Sequence, residues 1–248
     1  MKKGIGMIQS YRRIGLVLVL SVGMLVVESL PSAQAGLMLR LQSGSDTKTV
    51  EDGGAGDINS VTGAVTFMGS VGNFFLNVTT GLSKPVIGDK DYIASLDLNS
   101  VNVSGALPGS LTLMLTDTDF DLLPPSIGSA ITLIGGVTPG FVTFETFLDP
   151  DNKEFGEMGS PISLTGAQAP LGGGAIDKEV STTVPLPDTG PFSLTSIVTL
   201  THPTGGMYSS FNLEVSVATP EPGTLLLLGT GLLGFAGYTW RRRMMQKV

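Results

Sequence analysis

An antiparallel all-β body, a β-sandwich or jelly-roll-like fold, is predicted for the centre of this 248-residue chain, and three observations carry that prediction. Residues 36–219 are rich in Gly, Thr, Ser, Val and Leu, a strand-and-turn composition with few helix signals. Short runs of alternating apolar and polar residues recur along this stretch, separated by Gly, Pro, Asn and Asp clusters. There is no cysteine, so the body must hold together by its core, by bound ions or by assembly, and it is long enough to bury a core without staples.

Element by element, Leu37, Leu39 and Leu41 share one face of a first strand, and residues 51–57 read as a loop. Val61–Met68 and Asn73–Thr79 predict a hairpin turning at residues 69–72. In Tyr92–Ser104 the apolar positions change parity, from Leu96 and Leu98 to Val101 and Val103, which predicts a bulge near Asn99-Ser100. Leu111, Leu113 and Leu115 alternate with Thr112, Met114 and Thr116 in the next strand. Ala130–Ile134 and Phe141–Leu148 follow as two further strands. Residues 149–190, with Gly172-Gly173-Gly174, Pro185 and Pro187, read as a long irregular excursion. Phe192–Thr201 and Phe211–Ala218 close the body, the last with Phe211, Leu213, Val215 and Val217 inward. About nine strands are expected.

Both termini read as targeting segments. Lys2, Lys3, Arg12 and Arg13 precede the apolar run Ile14–Val27, and Ala33-Gln34-Ala35 supplies small residues at a cleavage site. This is the order of a secretory signal helix over 1–35, cut before Gly36, with Ala33 and Ala35 read by signal peptidase. At the other end Pro220-Glu221-Pro222 precedes an uncharged run, Leu225–Trp240, and then Arg241-Arg242-Arg243. As a helix that run is about 24 Å long, and the arginines would hold its end on the cytoplasmic side. Within it, Gly229–Gly234 spells G-x-G-x-x-G, but no strand precedes it and no acid follows, so it predicts no nucleotide site.

Charge narrows the partners. Residues 36–219 carry six basic and nineteen acidic residues, formally −13, which disfavours nucleic acid and anionic lipid headgroups. His202 is the one histidine and no Gly-x-Ser-x-Gly elbow accompanies it, so no catalytic residue is expected. Two acidic runs are candidates for calcium: Asp117, Asp119 and Asp121 on alternate positions, and Asp149 and Asp151 in a loop. The second run has Lys153 where a calcium loop needs an oxygen, and a solvated loop is the plainer reading. No other cofactor is expected.

Residues 219–243 resemble the PEP-CTERM sorting domain of Gram-negative bacteria, on Pro220-Glu221-Pro222, the Gly-rich apolar run and the Arg cluster. Gly44–Pro85 is also similar, more loosely, to domains carried ahead of such tails. The resemblance implies a precursor held transiently in the inner membrane and processed by exosortase near the tripeptide. The product would pass to the cell surface or the extracellular matrix, where exopolysaccharide is the candidate partner. The expected organisation is a signal peptide at 1–35, an exported domain at 36–218 and a sorting tail at 219–248. The expected role is that of a structural or adhesive matrix protein, with a carbohydrate-binding module as the alternative and an extracellular hydrolase the least favoured.

Overall fold

A computed structural model describes residues 36–89, 92–122, 127–156, 159–219, 230–233 and 235. Eleven antiparallel strands make the body: β1 (Met38–Ser43), β2 (Asp46–Glu51), β3 (Ala64–Val71), β4 (Phe74–Leu82), β5 (Ile93–Gly105), β6 (Gly109–Phe120), β7 (Ile127–Asp149), β8 (Ile162–Ser163), β9 (Leu171–Pro185), β10 (Phe192–His202) and β11 (Met207–Ala218). They form one hydrogen-bonded path, β2-β1-β6-β10-β7-β11-β5-β4-β3, with β8 and β9 also on β7.

The 23-residue β7 turns this path into two facing sheets. Its second half, Phe141–Asp149, pairs with β10, and its first half, Ser129–Val137, pairs with β11. The first sheet is therefore β2-β1-β6-β10 with the later half of β7. The second is the earlier half of β7 with β11, β5, β4 and β3, and β9 lies along the free edge of β7. The strand changes sheets around Thr138–Phe141, where its register with β9 also shifts.

The inner faces make one core. Leu37, Leu39, Leu41, Leu111, Leu113 and Leu115 of the first sheet belong to the same buried cluster as Leu96, Leu98, Phe211, Leu213, Val215 and Val217 of the second. Alternation dictates this, because every second side chain of a strand points to the same face. The sheets meet closely at Gly81 of β4, where an added Cβ would lie 2.2 Å from Leu115 Cδ1 of β6. An alanine there would have to displace the buried Leu115 side chain.

The parity change in β5 is a bulge as expected: Phe211 faces Val101 and Leu213 faces Leu98, which sets Asn99-Ser100 against the single residue Asn212, with Ser100 at φ 53°. Other expectations need correction. The β3–β4 hairpin turns at Gly72-Asn73, with Gly72 at φ 56°, and Gly69 sits instead at a register shift within β3. Ala130–Ile134 and Phe141–Leu148 are two parts of one strand. The excursion at 149–190 contains the 15-residue β9, and Asp46–Glu51 is an edge strand.

The signal segment 1–35 with Ala33 and Ala35, the tripeptide Pro220, Glu221 and Pro222, Leu225, Trp240 and Arg241–Arg243 lie outside the described residues. Thr230–Leu233 and Phe235 are helical and exposed. Among the described residues no helix is long and apolar enough to cross a membrane.

Candidate functional site

The junction between body and tail is the first site. β11 lies between β7 and β5 and is hydrogen-bonded on both sides up to Ala218, which faces Ser129 and Ile93. The Thr219 N–H then donates to Tyr92 O at 3.1 Å. The described pairing thus reaches Thr219, the residue before Pro220, and a proline has no N–H to donate to a ladder.

The acidic runs do not assemble as a cation site, and among the described residues no group of three or more His, Asp or Glu could hold a metal. Asp117, Asp119 and Asp121 do not share one face. Asp117 is fully buried, Asp119 sits at φ 63° and is exposed, and Asp121 lies beyond the end of β6. The kinked backbone at Asp119 breaks the alternation that the sequence suggests.

Asp117 is claimed by protein donors. Its Oδ2 accepts from Lys84 Nζ at 2.8 Å and Ser83 Oγ at 2.6 Å, and its Oδ1 accepts from Thr118 N at 2.8 Å. Lys84 also donates to Thr118 O and lies 4.0 Å from the centre of the Phe120 ring. Burial raises the Asp117 pKa above the usual aspartate value, and the opposing pull of Lys84 and the hydrogen bonds does not cancel it. Asp119 is bound by Asn152, which accepts from Asp119 N and donates to its Oδ1, both at 2.8 Å. Asp149 Oδ1 accepts from Asp151 N and Ser160 N, tying the two ends of the loop, and its buried Oδ2 has no protein partner.

His202 ends β10 in full burial. Its Nε2 is 2.8 Å from Ser209 Oγ, which is 2.7 Å from Thr138 Oγ1. Two members of a hydrolase triad are thus in contact, but His202, Ser209 and Thr138 are all fully buried, and Nδ1 meets no carboxylate or other partner. A substrate cannot reach this serine, and the trio is a structural tie between β10, β11 and the bend of β7. Burial lowers the His202 pKa.

The accessible chemistry lies on the outer face of the first sheet. Register aligns Thr47, Gln42, Thr112, Thr199 and Thr143 in one row across five strands. At the usual strand spacing this row is about 19 Å long. Beside it Ser110, Thr201 and Phe141 form a second row. Thr112 and Thr199 are hydrogen-bonded at 3.1 Å, and Ser110 and Thr201 at 3.0 Å. Phe141, Thr143, Pro170, Thr199 and Thr201 line a groove of about 370 Å³, and a smaller one of about 180 Å³ beside it reaches Glu145, Gln168 and Ile197. Phe141 is 50% exposed.

The far end of this face is closed. The turn at Glu154–Gly156 folds over it, with Phe155 N donating to Thr116 Oγ1 and Arg40 stacked 3.9 Å from the Phe155 ring centre. None of these surface residues stands out in the sequence. The Thr-x-Thr spacing at 199–201 is the one hint, and it becomes a surface only once register aligns the strands.

No curated protein matches the chain. Two solved structures show a distant likeness. One is TmCBM61 in complex with beta-1,4-galactotriose, 9% identical with a TM-score of 0.25, over 54% of this chain and 85% of that one. The other is the infectious bursal disease virus Gx strain structure, 14% identical with a TM-score of 0.21, over 75% of this chain and 57% of that one. Scores at that level fix neither topology nor ligand. The tail is better determined: residues 218–243, starting at the last residue of β11, are a PEP-CTERM protein-sorting motif.

Proposed function

We propose that this chain is an exported structural or adhesive protein, delivered by exosortase to the surface or exopolysaccharide matrix of a Gram-negative cell. The observation that carries the reading is the sorting motif at 218–243, whose first residue is the last paired residue of β11. The tail addresses the protein, and the body alone acts at the destination. Signal peptidase removes 1–35, and exosortase cuts beyond Thr219 without disturbing the ladder. The body works by binding and not by catalysis.

Intact mass of the exported protein, from the native host and from an exosortase-deficient strain, tests this. The expected native product begins at Gly36 and ends near residue 220, and the deficient strain accumulates the uncut tail. A product keeping Trp240 and Arg241–Arg243 in both strains would overturn the sorting reading. The second reading, a carbohydrate-binding module in the same matrix, is supported by the open hydroxyl-lined groove on the first sheet.

A further inference from the structure

We propose that the outer face of the first sheet binds a neutral polysaccharide chain, laid along the row Thr47–Gln42–Thr112–Thr199–Thr143 with a sugar ring seated against Phe141. The proposal rests on the reading of the body as a matrix protein and names what its exposed face holds.

Charge makes the first argument. The region 36–219 is formally −13, yet all five side chains of the row are uncharged. A face of hydroxyls and one amide inside so acidic a body suits a ligand that is itself uncharged and hydroxyl-rich. An anionic polymer would be repelled by the surrounding field. Hydrogen-bonding capacity makes the second. In each hydroxyl pair, Thr112 with Thr199 and Ser110 with Thr201, one proton is shared, which leaves a second proton and several lone pairs for a ligand. The ladder also fixes these rotamers before any ligand arrives, so less side-chain entropy is lost on binding.

Shape makes the third. The groove is mostly apolar, walled by Phe141 and Pro170, and the hydroxyls of Thr143, Thr199 and Thr201 supply its few polar atoms. A pyranose ring presents C–H bonds on its face and hydroxyls around its edge, and such a cleft meets both. The open row then leads away across β10, β6, β1 and β2, so a chain and not a single sugar makes full use of the face. Glu145 is the one carboxylate among the groove-lining residues, whereas glycoside hydrolysis uses a pair. The bound chain is held and not cut.

The test uses the full chain in detergent micelles and calorimetry with neutral gluco-, manno- and galacto-oligosaccharides, with alginate oligomers as the anionic probe. Binding of at least one neutral series and none of alginate is expected. Phe141→Ala should weaken that binding by about tenfold through lost apolar contact. Thr199→Val, of nearly equal volume, should weaken it by about threefold or more through lost hydrogen bonding. Ile131→Ala, on the outer face of the second sheet, should change nothing. Phe141 is half exposed, so melting curves of the variants should match the parent, and Thr199→Val provides the isosteric check if they do not.

No binding of any neutral series overturns the proposal, as does equal binding by Phe141→Ala and Thr199→Val. So does a self-associated chain whose dimer, in place of a glycan, is lost on Phe141→Ala. Sorting is scored separately by mass. A correctly cut protein that binds no glycan removes this site and leaves the sorting reading intact, and an uncut protein that binds does the reverse.

Discussion

The two ends of the sandwich are tied by different chemistry. At the end from which the tail departs, Lys84 and Ser83, following β4, reach across to Asp117 of β6, a charged tie between the second sheet and the first. At the opposite end His202 of β10 meets Ser209 of β11 and Thr138 of β7, a neutral tie with every member enclosed. The charged tie leaves the lysine side chain 15% exposed, while the aspartate side chain is fully enclosed. The comparison shows two ways to bury polar groups between sheets: neutralise charge and give both carboxylate oxygens donors, or avoid charge and share protons.

The largest effect expected from breaking the comparison is at the charged end. Lys84→Met keeps the stem but leaves Asp117 buried without its cation, which should cost about 3–5 kcal/mol in denaturant titration of the full chain. Replacing both partners, Lys84→Met with Asp117→Leu, should recover most of that loss, since no orphan charge remains. A double variant as unstable as the single one would show that geometry and not charge balance governs this end.

At the neutral end Ser209→Ala removes the partner of His202 Nε2, and Nδ1 has none already. A cost of about 1–3 kcal/mol is expected in the same titration.

Acid should separate the two ties. The folded His202 pKa is lowered, so its contribution to stability is complete above the ordinary value near 6.5 and is lost as pH falls through the folded value. Asp117 behaves oppositely: its folded pKa is raised, so its contribution is complete below the ordinary 3.8 and is lost as pH rises through the folded value. As pH falls the His202 contribution is lost, and melting temperature should start to fall below about pH 6.5. In His202→Gln that first fall should flatten, and an unchanged profile would remove His202 from the account. The smallest effect is on the surface ladder, where Thr112→Val should cost about 0.2–1 kcal/mol, measured the same way.

Much of the fold is legible in the sequence wherever a strand buries one face. Leu37, Leu39 and Leu41 are inward, as are Phe211, Leu213, Val215 and Val217, and the parity change around Asn99-Ser100 marks a true bulge. Edge strands are less legible, because they bury too little to show a period. β2 buries only Val50, and β9 only Ile176 and Val184. The unity of β7 is hidden by the Gly135-Gly136 and Pro139-Gly140 pairs, which read as turns but serve a strand changing sheets.

Polar sites were legible only where they are local. The sorting tail is contiguous, so its order of residues suffices. Asp117 gives no sequence hint of its lysine 33 positions away, and its neighbours suggest a solvated acidic face where a buried ion pair exists. The hydroxyl row draws on five strands, so it exists only once register is known.

The place of β11 has a mechanical consequence. Its last residues are bonded on one side to β7 and on the other to β5. Tension applied at Thr219 along the strand would therefore load two hydrogen-bond ladders in shear at once, instead of unzipping one bond after another. A pull in that direction meets the strongest direction of the sheet. Once the tail is cut, the same two ladders keep the new end from fraying.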